Sequence, residues 1–505
     1  MNEKLPGPTA VGRLLLWCGF VFFAGIVLFS LGASLTRMNN FEPVVGIALG
    51  MTLMLILGYR ALNRPAWRPS FPVFLMIGAF GLRAAWVWIT PTQPTSDFKM
   101  MYDSAVKAAA GDFSFAAMDY YIRWVYQLGY TLYQGGVVRL FGESLLPLKL
   151  ANAVCETLTV WLVYRMTASM FGETSGRIAG LLYAIYLPNI LMCSVLTNQH
   201  LSTLFFAAGC AAAVAPRRRS GIGGVIAAAL CFALGSAFRP MGAFYVAVFL
   251  IFLGLHEAAR KRKEGSGSFR KRLAVKGTAF VAAYFLAQQL IAYSLIASGV
   301  TELKLHAGRE PYWKFMVGLN AESNGQWNAK DANHVLAFPL GPERDQVERD
   351  ILLERLADPL EIAALMVKKW VLMWAGPDDS IYWSLGTVAH SSDWNIRLAT
   401  VERAQYVVYA FFGSLAMLAL LLRRHGGNGT GASGFVPAMY LPMLVLLAYA
   451  ALHGLIEIQI RYRLDVMPFM IALAGFGCAC AGHWFSTKRS SAIGSKAGNP
   501  PSVSV

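Results

Sequence analysis

Long runs of apolar residues, separated by shorter polar segments, follow one another along most of the chain. A helix needs roughly 20 residues to cross the roughly 30 Å of hydrocarbon in a bilayer, and about twelve runs approach or reach that length. The count depends on the middle of the chain, because Pro188 interrupts one run and the motif FRPMG joins two others. The predicted spans lie near 12–35, 42–59, 71–90, 145–166, 177–196, 200–215, 221–238, 241–256, 277–300, 401–422, 435–455 and 466–486. The pattern predicts an all-α polytopic membrane protein.

Composition agrees with this pattern: 56% of the residues are hydrophobic, 14% are charged and the mean hydropathy is +0.48. In a soluble protein, a net charge of +16 would indicate nucleic acid or acidic partners. Here Lys and Arg collect in short segments between the spans, such as APRRRSG and LLRRHGG. With the N-terminus inside, the inner segments hold roughly 23 basic and 4 acidic residues, and the outer segments roughly 20 and 23. The charge therefore indicates membrane orientation, with the lipid bilayer and not nucleic acid as the partner.

The cysteines give no sign of disulfides or of a metal site. All seven lie inside predicted spans, where an odd number argues against a disulfide framework. Cys478 and Cys480 point to different faces of a helix, and no neighbouring His or Cys pair completes a zinc site. The sequence therefore implies no certain cofactor and leaves open only a divalent cation.

Two long segments lie outside the membrane in this topology, at 91–144 and 301–400. The first predicts a helix from Phe98 to Ala110 and then an aromatic region, DYYIRWVYQLGYTLY, which suits the membrane interface. The second combines the polar, turn-rich GLNAESNGQWNAKDANH with a segment whose apolar positions recur at helical spacing, as in a helix lying on the membrane. We expect the chemistry in these two outer loops.

The chain thus divides into four predicted parts. They are two N-terminal spans (1–70), a transmembrane core with the first outer loop (71–300), the second outer loop with its interfacial helices (301–400), and C-terminal spans with a cytoplasmic tail (401–505).

Four stretches are similar to motifs of one membrane-enzyme family. They are SDFKMMYDSAVKAAAGD with LFG at the end of the same loop, LTNQHLSTLFF, GLNAESNGQWNAKD and IRYRLDVMPF. Together with the topology, they resemble the GT-C glycosyltransferases, in the branch that contains protein O-mannosyltransferases and the aminoarabinose transferase of lipid A. The chain departs from that branch in carrying Asp97 where the family has paired acidic residues, and in two additional spans before this loop.

The resemblance implies an enzyme that moves a sugar from a polyprenyl-phosphate-linked donor to a glycan, lipid or protein acceptor on the outer face of the membrane. It also implies a protein of the bacterial cytoplasmic (inner) membrane whose active site faces the periplasm, acting in glycan biosynthesis of the cell envelope. Two other classes stay open here: an O-antigen-type polymerase or ligase, and a transporter or flippase for lipid-linked sugars.

Asp97 is the candidate catalytic residue of the first outer loop. A carboxylate there can accept the proton of the attacking group, a step worth roughly 10²–10⁴-fold in rate. Burial at the membrane exit tends to raise its pKa, and the nearby Lys99 tends to lower it. The alternative is that Asp97 only caps the helix that follows.

The phosphate of such a donor requires cations, and Arg offers a planar fork for phosphate oxygens. The candidates are Arg123, Arg239, Arg461 and Arg463. The last two would share one face of an extended chain. Alternatively, Arg461 pairs with Glu457 at helical spacing.

Other polar and aromatic residues of these loops and motifs are candidates for substrate binding. They are Lys99, Tyr102, Asp103, Tyr121, Asn198, Gln199, Asn320, Trp327 and Tyr462. Trp327 can stack on a sugar ring, although the Asn and Gly residues around it equally predict a turn. Arg83 and Glu156 lie inside spans, where charges are costly, and are expected to face the interior of the helix bundle.

Overall fold

The computed structural model of the protein describes residues 10–36, 40–65, 69–215, 221–264, 269–422 and 437–496. Every regular element within these ranges is a helix. Eight helices there are long and apolar enough to cross a membrane. The all-α polytopic class is therefore confirmed, while the number of twelve spans stays a prediction.

The N-terminal part begins with three long apolar helices and continues into the segment predicted to be the first outer loop. The long helices are α1 (Ala10–Thr36), α2 (Phe41–Leu62) and α3 (Phe71–Ile89). The loop contains α4 (Ser96–Ala109), a 3-10 turn (Ser114–Ala117), α5 (Asp119–Arg123) and α6 (Gln127–Phe141). The helix predicted from Phe98 to Ala110 corresponds to α4.

Seven helices form the central part of the chain. They are α7 (Leu145–Phe171), α8 (Glu173–Ala184), α9 (Leu187–Met192), α10 (Gln199–Ala213), α11 (Ile222–Phe238), α12 (Gly242–Glu264) and α13 (Phe269–Ala297). The predicted interruption at Pro188 is present, because α8 ends before it and α9 takes the proline into its first turn, where the missing N–H is tolerated. The FRPMG motif separates α11 from α12.

The second outer loop and the C-terminal part complete the chain. The loop contains α14 (Trp313–Gly318), α15 (Ala329–Leu336), α16 (Pro342–Arg355), α17 (Pro359–Ala375) and α18 (Ser380–Leu385). The C-terminal part contains α19 (Ser392–Leu422), a 3-10 turn (Pro437–Met439), α20 (Tyr440–Leu455), a 3-10 helix (Ile460–Val466) and α21 (Met467–Lys496). Of these, α17 packs against both α1 and α20.

The centre of the bundle lies around α21, which packs closely on α19 and α8. Gly477 permits the first contact, since a Cβ at this position would collide with the Phe412 carbonyl on α19. Phe171 and Phe476 stack beside it, with 4.4 Å between ring centroids. Close approach through small residues is how helices gain packing energy where lipid supplies no hydrophobic drive.

The two charges predicted to face the bundle interior, Arg83 and Glu156, are both buried. Arg83 donates to two carbonyls at the end of α8, at 3.0 and 3.2 Å, where the last turn has no helical partners for them. Glu156 accepts a hydrogen bond from Asn189 at 2.8 Å and lies 2.8 Å from His200 Nδ1. Protein groups thus bind both side chains, which indicates a structural role.

Candidate active site

Asp97 lies in the first turn of α4, where the chain enters the first outer loop. The preceding residue, Ser96, has a φ of 51°, a left-handed conformation that costs a residue with a side chain roughly 1–2 kcal/mol. Thr95 occupies the N-cap position, and within the described chain the Asp97 side chain makes no hydrogen bond and no ion pair. The predicted capping interaction is therefore not formed, and the Asp97 carboxylate is available to a ligand.

The surroundings of Asp97 combine access to water with close protein neighbours. The residue is exposed to solvent, yet burial by the surrounding protein raises the pKa of its carboxyl above the ordinary value. Arg461 and Lys314 act in the opposite direction, and Glu457 adds to the rise. Charges from distant parts of the chain therefore converge on Asp97. Lys99, predicted to be the cation that influences it, is not among them.

Arg461 is the arginine whose charge acts most directly on Asp97. Its guanidinium lies over the rings of Phe98 and Trp383, at 4.9 and 4.8 Å from the centroids, within cation–π range. We call these two rings the aromatic platform. Arg461 Nε donates to Gln459 at 2.7 Å, and no carboxylate in the described ranges forms a salt bridge with the guanidinium. Much of its hydrogen-bonding capacity is therefore unused.

Lys314, on α14, forms an ion pair with Glu457. Burial by itself would lower the pKa of Lys314, but the Glu457 carboxylate outweighs that effect and raises it well above its usual range. For Glu457, burial would raise the pKa, and the ammonium of Lys314 lowers it instead. The backbone reinforces this pair, since Glu457 N donates to the Lys314 carbonyl at 2.8 Å. The predicted alternative of an Arg461–Glu457 pair is thus replaced by a Lys314–Glu457 pair.

Arg239, at the hinge between α11 and α12, belongs to a neighbouring network. Its guanidinium lies 3.2 Å from the Asp465 carboxylate and 5.0 Å from the centroid of the Tyr462 ring. Gln199 connects the two arginine environments, because its Nε2 donates both to Asp465 at 2.8 Å and to the Arg461 carbonyl at 3.0 Å. This network includes three predicted site residues, Arg239, Gln199 and Tyr462.

Asn198 joins the same network more weakly. Its Oδ1 lies 3.5 Å from Arg239 Nη1, and its Nδ2 donates to Gln127 at 3.1 Å and to the Phe238 carbonyl at 2.9 Å. Asn198 therefore ties the α11–α12 hinge to α6.

Arg463 lies apart from Asp97 and Arg461, although it was predicted to share one face with Arg461. It is fully buried, 2.8 Å from Asp378 and 3.2 Å from Glu402. The reason is local: residues 460–466 form a 3-10 helix rather than an extended chain, so the two arginines point into different surroundings. Two carboxylates already balance the charge of Arg463.

Arg123 is likewise paired. Its guanidinium lies within cation–π range of the Trp124 and Trp313 rings and 2.8 Å from the buried carboxylate of Glu310. Arg344 approaches the same carboxylate at 2.9 Å. Arg123 therefore anchors the second outer loop to the first.

The other predicted substrate-binding residues have partners away from Asp97. Lys99 and Asp103 form an exposed ion pair at 2.6 Å. The Tyr102 hydroxyl donates to the Glu143 carbonyl, and the Tyr121 hydroxyl lies 2.9 Å from Thr131 Oγ1. Asn320 donates to Asp331 at 2.9 Å, and Trp327 is 56% exposed. The structure thus brings none of these residues into the contacts of Asp97 or Arg461.

Sequence reasoning missed Lys314, Glu457 as its partner, Asp465 and Trp383. Glu457 and Asp465 flank the Arg-Tyr-Arg motif in EIQIRYRLD, and two acids beside two arginines were the available signal. Lys314 carried no such signal, because its partner is far along the chain. No group of three or more His, Cys, Asp or Glu residues in the described ranges is arranged to hold a metal ion.

One protein family model matches the chain. It describes dolichyl-phosphate-mannose-protein mannosyltransferases and covers residues 128–286, from α6 to α13. The predicted resemblance to GT-C enzymes is confirmed by this match. The matched segment includes Asn198, Gln199 and Arg239 but neither Asp97 nor Arg461. No match to a curated protein was found.

The solved structures that are similar to the chain include the following two. One is the archaeal oligosaccharyltransferase AglB from Archaeoglobus fulgidus, in complex with an inhibitory peptide and a dolichol-phosphate, at 13% identity and a TM-score of 0.47; the match covers 87% of this chain and 53% of AglB. The other is ArnT from Cupriavidus metallidurans bound to undecaprenyl phosphate, at 11% identity and a TM-score of 0.34; the match covers 82% of this chain and 78% of ArnT. The chain thus spans about half the length of the archaeal protein.

Proposed function

We propose that this protein is an integral membrane glycosyltransferase that moves a sugar from a polyprenyl-phosphate-linked donor to an acceptor on the outer face of a bacterial inner membrane. One observation carries the proposal: the water-accessible carboxylate of Asp97 lies in the field of Arg461, an arginine that no carboxylate of the described chain pairs with. The family match supports the same class of reaction. The outer location rests on the predicted positive-inside orientation.

In such a transfer, a bond forms between an oxygen or nitrogen of the acceptor and the anomeric carbon of the sugar. The bond from that carbon to the donor's phosphate oxygen breaks, and the phosphate leaves with the electron pair. The acceptor atom gives up its proton. We assign proton acceptance to Asp97, because a raised pKa makes its carboxylate a stronger base and it has no hydrogen bond to give up first.

Negative charge develops on the phosphate as it leaves, and a positioned cation stabilises it. We assign this role to Arg461, whose fork has unused donors and whose orientation is held by the aromatic platform. Lys314 and Arg239 add positive potential near Arg461, but Glu457 and Asp465 balance much of it. Arg123 and Arg463 are not assigned to the phosphate, since buried carboxylates already hold them.

The test uses purified protein in proteoliposomes that contain a panel of undecaprenyl-phosphate monosaccharides, with release of undecaprenyl phosphate as the readout. Arg461→Ala should lower kcat/KM by about 10- to 150-fold, the cost of a charged hydrogen bond of roughly 1.5–3 kcal/mol. Arg461→Lys should recover the charge but not the fork or the stacking. Arg139→Ala, at an exposed arginine on α6, is the matched control and should behave as the parent.

Two results would contradict the proposal. One is an absence of release from every donor in the panel by a folded parent protein. The other is equal loss in Arg461→Ala and Arg139→Ala, which would reduce Arg461 to a general contribution to surface charge.

A further inference from the structure

His200 lies in the first turn of α10 and is buried against α7 and α9. Its Nδ1 is 2.8 Å from the carboxylate of Glu156 on α7, and its Nε2 is 2.9 Å from the carbonyl of Met192 at the end of α9. Glu156 and His200 are only 4% and 3% exposed, so water does not compete for these contacts. We call the two residues the Glu156–His200 pair. Each ring nitrogen of His200 thus has a partner on a different helix.

These partners determine where the hydrogens of the pair lie. A carbonyl only accepts, so His200 Nε2 carries a hydrogen and donates it to Met192. A lone pair on Nδ1 would repel an ionised carboxylate at 2.8 Å, so a second hydrogen lies between Nδ1 and Glu156. Whether this hydrogen is bound to nitrogen or to oxygen, the pair has no net charge, which is the form that burial favours. Two hydrogen bonds therefore fix the orientation of the His200 ring.

The surroundings of the pair leave it little room to move. The second carboxylate oxygen of Glu156 accepts hydrogen bonds from Asn189 at 2.8 Å and from the Tyr183 hydroxyl at 3.1 Å. The cavity beside the pair has a volume of about 10 Å³, no more than one water molecule occupies. Leu464, in the 3-10 helix of residues 460–466, lines this cavity together with His200. A close-packed interior passes a displacement on to its neighbours, so a shift of the ring reaches that 3-10 helix.

Gln199 provides the polar part of this connection. It directly precedes His200, and its Nε2 donates to the Arg461 carbonyl at 3.0 Å and to Asp465 at 2.8 Å. These two acceptors lie near opposite ends of the 3-10 helix of residues 460–466, and α10 packs against the same helix. The first turn of α10 therefore holds the backbone from which the Arg461 side chain extends.

We infer that His200 is a positioning residue for Arg461. With Glu156 it fixes the first turn of α10, and Gln199 transmits that position to the 3-10 helix that carries Arg461. His200 itself touches no reacting atom. The expected effect on sugar transfer rests on the proposed function, whereas the effect on the structure of residues 459–466 does not.

Hydrogen exchange in nanodiscs tests the structural part of the inference. His200→Leu removes both hydrogen bonds of the ring, and exchange in 459–466 should become about fivefold faster, the effect of one lost hydrogen bond of roughly 1 kcal/mol. Gln199→Leu cuts the next contact and leaves the Glu156–His200 pair intact. It should have the same effect, and it replaces the first variant if that one fails to fold. Unchanged exchange in 459–466 in the folded variants would overturn the inference.

The pH profile of transfer distinguishes positioning from a general loss of stability. His200→Leu should lower kcat/KM about tenfold, within the range of couplings between residues of one hydrogen-bond network. The acid limb should move to higher pH, because a displaced Arg461 lowers the pKa of Asp97 less. In the double variant with Arg461→Ala, His200→Leu should move the limb no further. A limb at the parent's position, or shifts that add in the double variant, would contradict the positioning role.

Two further variants serve as controls. Glu156→Gln should stay near the parent in both measurements, because its amide N–H can donate to His200 Nδ1 while Nε2 still donates to Met192. Thr203→Val is the matched packing control, one turn further along α10 and on the wall of the same cavity. It should also match the parent. An equal effect of Thr203→Val and His200→Leu would overturn the inference in favour of general packing.

The two measurements separate this inference from the proposed function. Faster exchange in 459–466 of His200→Leu, without sugar transfer from any donor by the parent, would refute the function and keep His200 as the residue that positions the Arg461 segment. Transfer by the parent with parental exchange and an unmoved acid limb in His200→Leu would refute only the positioning role.

Discussion

Replacing Asp97 by Asn tests whether this carboxylate is the base. Asn keeps the size of the side chain and, at neutral pH, cannot accept the proton. The Asp97 side chain makes no hydrogen bond or ion pair in the described structure, so the substitution removes no folded-state contact of that kind, and the free energy of unfolding should change by no more than about 0.5 kcal/mol. The direction of this change in the free energy of unfolding follows from the pKa of Asp97. Because burial raises the Asp97 pKa, the ionised form is disfavoured in the folded state, and the Asn variant should be as stable as the parent or slightly more stable at pH 7.

The effect on transfer should be much larger. Loss of a general base costs roughly 10²–10⁴-fold, or about 2.7–5.4 kcal/mol of transition-state stabilisation. The assay is sugar transfer in proteoliposomes, with thermal unfolding and undecaprenyl phosphate binding measured on the same preparations. Binding should be retained, so the loss should fall on kcat. Asp97→Glu should recover only part of the rate, because the carboxylate moves by about an ångström and positioning has a steep effect.

The pH profile gives an independent readout. The acid limb of kcat/KM in the parent should have its midpoint above 3.8, the ordinary value of an Asp carboxyl. In Arg461→Ala the limb should move to still higher pH, because Arg461 lowers the pKa of Asp97. Asp103→Asn is the control: Asp103 pairs with Lys99 on the exposed side of α4, so transfer should stay near the parent's level. Near-parental transfer by a folded Asp97→Asn variant would refute the reasoning.

Three further predictions concern buried ionisable groups away from Asp97. Arg463→Ala leaves Asp378 and a second carboxylate buried without their cation and should destabilise the protein by about 3–5 kcal/mol, seen as a lower Tm. The buried Lys369 ammonium donates to the carbonyls of Gly318, Gly454 and Ile456, and Lys369→Met leaves all three without their donor; we expect faster hydrogen exchange in 313–325 and a loss of roughly 1–3 kcal/mol, and unchanged exchange there would show that Lys369 does not hold this segment. Burial raises the pKa of Glu348 to about 8, so its folded state holds a proton that the unfolded state releases near 4.5, and stability should fall as pH rises from about 4.5 to 8. Glu348→Gln should flatten that part of the Tm profile, and an unchanged slope would show that another group is responsible.

Much of the fold could be predicted because each membrane-spanning helix is encoded by a continuous run of apolar residues. The apolar runs, the interruption at Pro188 and the interior position of Arg83 follow from length, the missing N–H of proline and the cost of charge in lipid. The position of Asp97 at the start of α4 could also be predicted from neighbouring residues, because a polar segment directly follows an apolar one there.

The ion pairs could not be predicted, because their members are far apart in sequence. Arg123 meets Glu310 across 187 residues, and Lys314 meets Glu457 across 143. Nothing in either neighbourhood specifies the partner. These long-range pairs decide which cations are left to bind a ligand.

The aromatic platform under Arg461 bears on the entropy of ligand binding. The Phe98 and Trp383 rings pack edge to face, 5.2 Å apart, so the guanidinium that lies over both has few other positions to adopt. A long side chain that becomes ordered on binding typically costs about 0.5–1.5 kcal/mol. At Arg461 most of that ordering has been completed during folding. An anion that reaches Arg461 therefore meets a donor already held in place, and its affinity should depend on how well its oxygens match a fixed fork rather than on the flexibility of the arginine.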